Sequence, residues 1–175
     1  MQTKIDLCNE ALLKIGEKTI DSFNDDDAAA QIAGKLYDVV IDNLLCLHAW
    51  RFAIKKFELA KTEDGDFVRP SEALRIISCD NPRHDAVGDR IKSDADKIEI
   101  TAVARVGAES FPAYFSAAAI TKLAMEFSIP LTGNQNTFAI LNALFEAELR
   151  AAKFIDSSFG ANQAIADFPL ITVRH

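Results

Sequence analysis

The spacing of apolar residues predicts four helices and one region of strands. Apolar positions recur every three or four residues in four segments, at about 3–16, 25–47, 110–129 and 134–157, as one face of a helix requires. Over about 50–106, apolar and polar residues alternate instead, which is typical of strands. This order predicts an α+β fold that is mainly α: a four-helix bundle with a small antiparallel β region inserted between helices 2 and 3.

Local signals predict where the helices begin and end. Thr3 can cap the first helix, and Gly16 can end it. The acidic run 25–27 favours the start of the second helix, because negative charge there complements the helix dipole. Pro130 is expected to end the third helix.

The second helix is apolar on two sides. One stripe consists of Ile32, Leu36, Val39, Val40 and Leu47, and a flanking face consists of Tyr37, Ile41 and Leu45. A helix that is apolar over so much of its girth is expected to be covered on two sides. We predict that one side faces the chain's own core and that the flanking face contacts a neighbouring subunit. A charge at Ile41 would then weaken assembly more than folding.

The stretch HAWRFAIKKFELA follows the second helix and leads into the strands. Its aromatic residues Trp50, Phe52 and Phe57 are predicted to anchor the chain at this transition, because aromatic side chains bury large areas. The alternation changes phase within the stretch, which predicts a β-bulge near Lys55 and Lys56.

Two further elements are predicted in the β region. Residues 73–79 read as a short strand, because apolar and β-branched residues are followed by Asp, Asn and Pro. Residues 89–106 read as a hairpin, in which Ile98, Ile100 and Ala102 face one way.

The last residues differ from the rest in pattern. Helical periodicity ends near Gly160, which divides the chain into a domain at 1–159 and an extended C-terminal arm at 160–175. The arm is too short and irregular for a core element, yet too apolar for a solvated end. We expect it to become ordered on a partner. Its apolar residues are Phe168, Pro169, Leu170, Ile171 and Val173. Folding back onto its own bundle is the alternative.

Composition and charge exclude several classes of protein. The chain has 175 residues, 49% of them hydrophobic and 26% charged, as in an ordinary soluble domain. No apolar run approaches the roughly 20 residues of a membrane span, and the first residues lack the pattern of a signal peptide, so we expect synthesis in the cytoplasm and no membrane partner. A net charge of -7 argues against a protein that grips DNA, but not against one that DNA passes.

The sequence predicts no catalytic, cofactor or metal site. Cys8, Cys46 and Cys79 are far apart, which favours buried free thiols. The histidines at 48, 84 and 175 lack the spacing of metal ligands. An acidic group around the first strand could in principle supply two carboxylates for glycan cleavage, although acidic residues in loops usually only contact solvent. This group consists of Glu58, Glu63, Asp64 and Asp66.

Several short motifs follow one another along the chain. The N-terminal half carries Asn9, Ala11 and Leu12, the pair Ile15 and Gly16, the turn Ile20, Ser22 and Phe23, the pair Leu44 and Leu45, and then Trp50, Phe52 and Ala53. The C-terminal half carries Pro70, Leu74 and Ile76, then Phe111, Pro112, Phe115, Leu123, Ala124, Pro130 and Leu131, and finally Ala147, Ala151, Ala152 and Asp156. In order and spacing these motifs resemble the head-to-tail adaptor family of tailed bacteriophages, the group that includes tail tubular protein A. Ala49 and Arg51 depart from it, since many relatives have proline and asparagine there.

The resemblance implies a structural virion protein. Such adaptors form a ring, typically of twelve copies, beneath the portal, and they join the DNA-filled head to the tail. The partners implied are the portal protein, a tail or nozzle protein and further copies of the chain, with DNA passing through the channel unbound. The implied location is the neck of the virion, after assembly in the host cytoplasm. The arm is then expected to bind the portal, and surplus carboxylates are expected to line the channel.

Two other classes of function stay open. A tail-associated peptidoglycan hydrolase would use a carboxylate pair, and a protein-interaction module unrelated to virions would use the apolar faces alone.

Overall fold

The computed structural model describes residues 2–161. Within this range the predicted mixture of helices and antiparallel strands is confirmed. The helices are α1 (Lys4–Lys14), α2 (Ala28–Cys46), α3 (Ala113–Thr132) and α4 (Gln135–Ala161). The strands are β1 (Ile54–Ala60), β2 (Phe67–Val68), β3 (Ala73–Cys79), β4 (His84–Val87), β5 (Arg90–Ser93) and β6 (Lys97–Ala104). The predicted strand at 73–79 is therefore confirmed.

Side-chain caps fix the starts of α1 and α2. The Thr3 hydroxyl accepts a hydrogen bond from the Asp6 amide at 3.2 Å, and the Asp6 carboxylate accepts one from the Thr3 amide at 2.8 Å. This reciprocal capping box confirms the predicted start, and the Thr3 amide holds the pKa of Asp6 below its usual value. Asp27 caps α2 by accepting from the Ala30 amide at 2.6 Å, so the acidic run precedes the helix.

The predicted end of α3 at Pro130 is wrong. The helix continues to Thr132 and ends at Gly133, whose φ of 63° is the left-handed conformation that glycine adopts readily. Pro130 removes one backbone donor in the final turns. In the same region the hydroxyl of Ser128 donates to the Met125 carbonyl, and that of Thr132 donates to the Ser128 carbonyl, each at 2.7 Å. These bonds satisfy carbonyls of the final turns.

The strands form two separate antiparallel sheets, ordered β1-β6-β3 and β2-β5-β4. The predicted hairpin at 89–106 is therefore wrong, since β5 pairs with β4 across Gly88, and β6 pairs with β1 and β3. Sequence alternation cannot distinguish these pairings, because it fixes which face is buried but not which strand lies alongside. Ile98, Ile100 and Ala102 do share one buried face, as predicted.

The predicted bulge at Lys55 and Lys56 is also wrong. β1 pairs with β6 in one unbroken register, from Ile54 opposite Val103 to Ala60 opposite Lys97. The change of phase arises because Arg51–Ala53 form a 3-10 turn ahead of the strand. The register shifts of this sheet lie in β3 instead.

The helices share one core and the strands have a smaller one. α3 lies centrally and packs against α1, α2 and α4, so it is buried around most of its girth. The β core is built from Phe67, Ile91, Ile98 and Ile100. α4 lies on the outside of α3 and continues to Ala161, past its predicted end at 157.

Candidate subunit-contact surfaces

Trp50 is fully buried at the junction between α2 and the strands. Its indole N–H donates to the Leu44 carbonyl at 3.1 Å, and its ring meets the ring of Phe115 edge-on, with 5.0 Å between centroids. The ring of Phe52 packs against the same Phe115 ring, with 4.9 Å between their centroids. Phe57 does not take part, because it lies in β1 against the β core. The predicted anchor residues therefore occupy two different cores.

A buried carboxylate ties α4 to this junction. Asp156 is 1% exposed and accepts hydrogen bonds from the Tyr114 hydroxyl at 2.8 Å and from the Arg51 amide at 3.2 Å. Its second oxygen lies 3.2 Å from His48 Nε2. Burial, together with the bond to Asp156, raises the pKa of Tyr114 to about 12. The network was not predicted, because the partners of Asp156 lie far from it in the sequence.

The motifs of the N-terminal half are joined by hydrogen bonds. The Asn9 side chain accepts from the Ile20 amide at 2.8 Å and donates to the Ile20 carbonyl at 2.9 Å. These two bonds hold the connection after α1 against that helix, with Ile20 buried. Asn9 can make both bonds because its side-chain amide has a donor and an acceptor in one plane.

The predicted subunit face of α2 lies inside the chain's own core. Tyr37 and Ile41 are each 3% exposed, and Leu45 is completely buried, all within the helical core. This corrects the prediction that these three residues contact a neighbouring subunit. The periodicity correctly predicts that α2 has two apolar sides. It does not show which side turns inward, and the predicted choice of the outward side was wrong.

The other stripe of α2 forms a surface groove with α3. Val39 is 66% exposed, and Ile32 and Leu36 are half-buried. Beside them lies a cavity of about 230 Å³, which we call the α2–α3 groove. The groove is lined by Leu36, Val39, Val40, Asn43, Lys122 and Glu126. Half of its lining residues are apolar, and its two charges are paired, because Lys122 Nζ lies 2.7 Å from Glu126. Lys122 Nζ also lies 5.3 Å from the centre of the Phe145 ring.

α4 also exposes an apolar stripe that the sequence interpretation missed. Ile140 and Phe154 are 69% and 76% exposed, and Leu144 and Ile155 also reach the surface. We call the stripe the α4 outer face; it comprises Ile140, Ala143, Leu144, Ala147, Ala151, Phe154 and Ile155. At 3.6 residues per turn these positions fall within about 60° of a common direction. The spacing of these residues is visible in the sequence, but the prediction for α4 considered only its inner stripe.

Charges border the α4 outer face without interrupting it. Glu148 lies on one side of the stripe and Arg150 on the other, about 80° from its centre. Glu148 approaches Lys14 of α1 at 4.0 Å, which shows that this side of the stripe turns toward α1.

The acidic residues considered for glycan cleavage do not share one site. Glu58 lines a cavity of about 260 Å³ with Asp80, Lys97, Ile98 and Glu99. Glu63, Asp64 and Asp66 instead follow β1 in the next loop, where Asp64 approaches Arg90 at 3.7 Å.

Lysines of β1 pair with acidic residues of the same chain. Lys56 lies 2.7 Å from Glu99, whose carboxylate raises the pKa of the amine, and Lys55 lies 3.8 Å from Glu72.

The cysteines are free thiols. Cys8 is fully buried, and burial raises its pKa to about 12, whereas Cys46 and Cys79 are partly exposed. Among residues 2–161, no three His, Cys, Asp or Glu side chains are grouped so that they could hold a metal ion. In the same part of the chain, no helix has the length and apolar character needed to cross a membrane.

The predicted arm residues Phe168, Pro169, Leu170, Ile171 and Val173 lie outside the described residues.

No protein-family model matches the chain, and no curated protein matches it either.

Proposed function

We propose that this protein is a head-to-tail adaptor, a structural virion protein that forms a ring beneath the portal and leaves a channel through which DNA exits. The proposal rests on the ordered motifs of the sequence. It is supported by hydrogen bonds that join motif residues: Asn9 with Ile20, and Trp50 with Leu44. In this proposal α1–α4 act as the bundle expected of such adaptors, with the strands as its extension.

The structural observation that supports assembly is the α4 outer face. It runs from Ile140 to Ile155, a rise of about 22 Å, without a charged side chain. Its large side chains expose an area on the order of 400 Å², which is the size of patch that often marks an interaction site. A subunit of an assembly would cover this surface.

The partners follow from this role. The ring, of about twelve copies if it resembles its relatives, binds the portal above and a tail or nozzle protein below. The arm residues Phe168 to Val173 contact the portal. Carboxylates line the channel, because a passage lined by lysine and arginine would retain DNA.

Imaging tests the proposal directly. The chain is mixed with the portal protein encoded in the same genome and examined by cryo-electron microscopy. The expected result is a ring of this chain attached to one face of the portal. Absence of attachment, together with absence of this chain from the neck of purified particles, would overturn the proposal.

Truncation tests whether the arm binds the portal or folds back onto its own domain. A chain ending at residue 161 is expected to keep the thermal unfolding temperature of the full chain and to lose attachment to the portal. A lower unfolding temperature would show instead that the arm folds back onto its own domain.

A further inference from the structure

The structure contains two apolar surfaces of matching length. The exposed α2 stripe runs from Ile32 to Leu47; Val39 and Leu47 are its exposed members, and Ile32 and Leu36 are half-buried. This stripe and the α4 outer face, from Ile140 to Ile155, each rise by about 22 Å. The α2 stripe protrudes at Val39 and borders the α2–α3 groove. The α4 outer face has large side chains at its two ends and the alanines 143, 147 and 151 between them, so a neighbouring helix can approach its middle closely.

The two surfaces belong to different helices. Glu148, which borders the α4 outer face, turns toward Lys14 of α1. Around the α4 helix axis, Phe145 lies about 60° further from the outer face than Glu148 does. Lys122, which lines the α2–α3 groove, lies over the Phe145 ring. The groove lies between α2 and α3, whereas the α4 outer face lies opposite the residues that α4 packs against α3, so one chain carries two different surfaces.

The charges of the two surfaces are compatible with contact. Lys122 and Glu126 neutralise each other within the groove, and the α4 outer face carries no charge. An apolar face can therefore cover the groove without burying an unpaired ion, which would be strongly unfavourable.

We propose that the α4 outer face of one copy packs against the exposed α2 stripe and the α2–α3 groove of the next copy. A contact between two different surfaces is head-to-tail, and it closes into a ring when the rotation per copy is right. This contact deepens the adaptor function and rests on it for the setting in which copies meet.

The size of the contact determines when it forms. A stripe on the order of 400 Å² is about half of what each partner contributes to a standard interface, near 800 Å². The contact alone therefore holds copies weakly in solution. Portal binding places copies side by side and raises their effective concentration, so the ring is expected to close on the portal.

Cysteine cross-linking tests which surfaces meet. The background variant carries Cys46→Ser and Cys79→Ser and retains the buried Cys8. Val39→Cys and Ala147→Cys are introduced separately and together, the proteins are assembled on the portal, and a short bis-maleimide is added. The variant with both cysteines is expected to give a ladder of covalent multimers, while each single variant stays monomeric. A dimer formed by Ala147→Cys alone would show a symmetric pairing of α4 and overturn the head-to-tail contact.

Charge substitutions provide the second readout. Ala147→Glu and Val39→Glu are expected to reduce ring formation roughly tenfold or more, with unchanged unfolding temperatures. The matched controls are Asn142→Glu on α4 and Gln31→Glu on α2, both exposed positions outside the two surfaces. The controls are expected to form rings like the unmodified chain.

The outcomes distinguish the contact from the function. A normal ring on the portal without a ladder would overturn the contact and leave the adaptor function standing. A ladder from the concentrated chain without any attachment to the portal would keep the contact and overturn the adaptor function. Absence of both would overturn both.

Discussion

The imidazole Nε2 of His48 lies 3.2 Å from the buried carboxylate of Asp156, across 108 positions of the sequence. The same carboxylate accepts hydrogen bonds from the Arg51 amide and the Tyr114 hydroxyl. One side chain of α4 thus connects the end of α2, the turn that leads into β1 and the first turns of α3. Since α4 also carries the exposed stripe, this network fixes the position of the proposed contact surface relative to the rest of the chain.

Replacing Asp156 by alanine is expected to lower the free energy of unfolding by about 2–4 kcal/mol, because three partners lose a buried acceptor. Chemical denaturation followed by circular dichroism measures the change. Ser157→Ala, at the adjacent exposed position, serves as the control and is expected to change stability by less than about 0.5 kcal/mol. Equal stabilities of the two variants would mean that the network contributes nothing to the fold.

Replacing Trp50 by phenylalanine is expected to lower the free energy of unfolding by about 2–3 kcal/mol, because the Leu44 carbonyl loses its donor and the aromatic cluster loses volume. Phe154→Leu, at an aromatic residue that is 76% exposed, is the matched control and is expected to have little effect. Trp50 is the chain's single tryptophan, so the native protein should also show the blue-shifted emission of a buried indole. Emission typical of a solvated indole would contradict its burial.

Tyr114 is expected to contribute to a loss of stability at alkaline pH. Burial first, and then the bond to Asp156, raises its pKa from 10.0 to about 12, so the unfolded chain releases this proton before the folded chain does. The contribution is present in full below pH 10, falls as the pH rises from 10 and stops falling near 12.

The comparison variant for this pH effect is Tyr114→Phe. Its free energy of unfolding should fall less between pH 9 and pH 11.5 than that of the unmodified chain. Cys8 and Tyr37, whose pKa values are also raised by burial, titrate in both proteins and cancel in the difference. Identical slopes in the two proteins would show that Tyr114 keeps its ordinary pKa in the fold.

Local signals predicted the helices well because their causes lie within a few residues. Thr3 and Asp6 form their capping box within a single turn, and the apolar spacing of α4 requires no knowledge of its partner. The end of α3 was predicted three residues too early, because two local signals compete: Pro130 is tolerated within the last turn, and Gly133 in the left-handed conformation ends the helix.

The spacing of apolar and polar residues could not predict properties that depend on residues far away in the sequence. Asp156 has the spacing of an inner-face residue, but its partners lie 42 to 108 positions away. The two apolar sides of α2 look alike in sequence, and only the packing of the other elements around α2 makes Ile41 buried and leaves Val39 exposed. This exchange moves the candidate contact from the predicted face of α2 to the opposite one.

The exchange of faces gives the most direct test of the corrected surface. Ile41→Asp places a charge at a site that is 3% exposed, and we expect it to lower the free energy of unfolding by about 3 kcal/mol or more. Val39→Asp, on the same helix at a site that is 66% exposed, should change it by about 0.5 kcal/mol or less. Thermal and chemical unfolding of the isolated chain measure both.

Assembly should respond in the opposite order. Val39→Asp folds and is expected to fail in ring formation on the portal, whereas any defect of Ile41→Asp in assembly follows from its loss of folded protein. A stable Ile41→Asp monomer that cannot assemble would restore the face of Tyr37, Ile41 and Leu45 as the subunit contact. Because both variants introduce aspartate two positions apart on one helix, a difference in local helix propensity would not account for such a reversal.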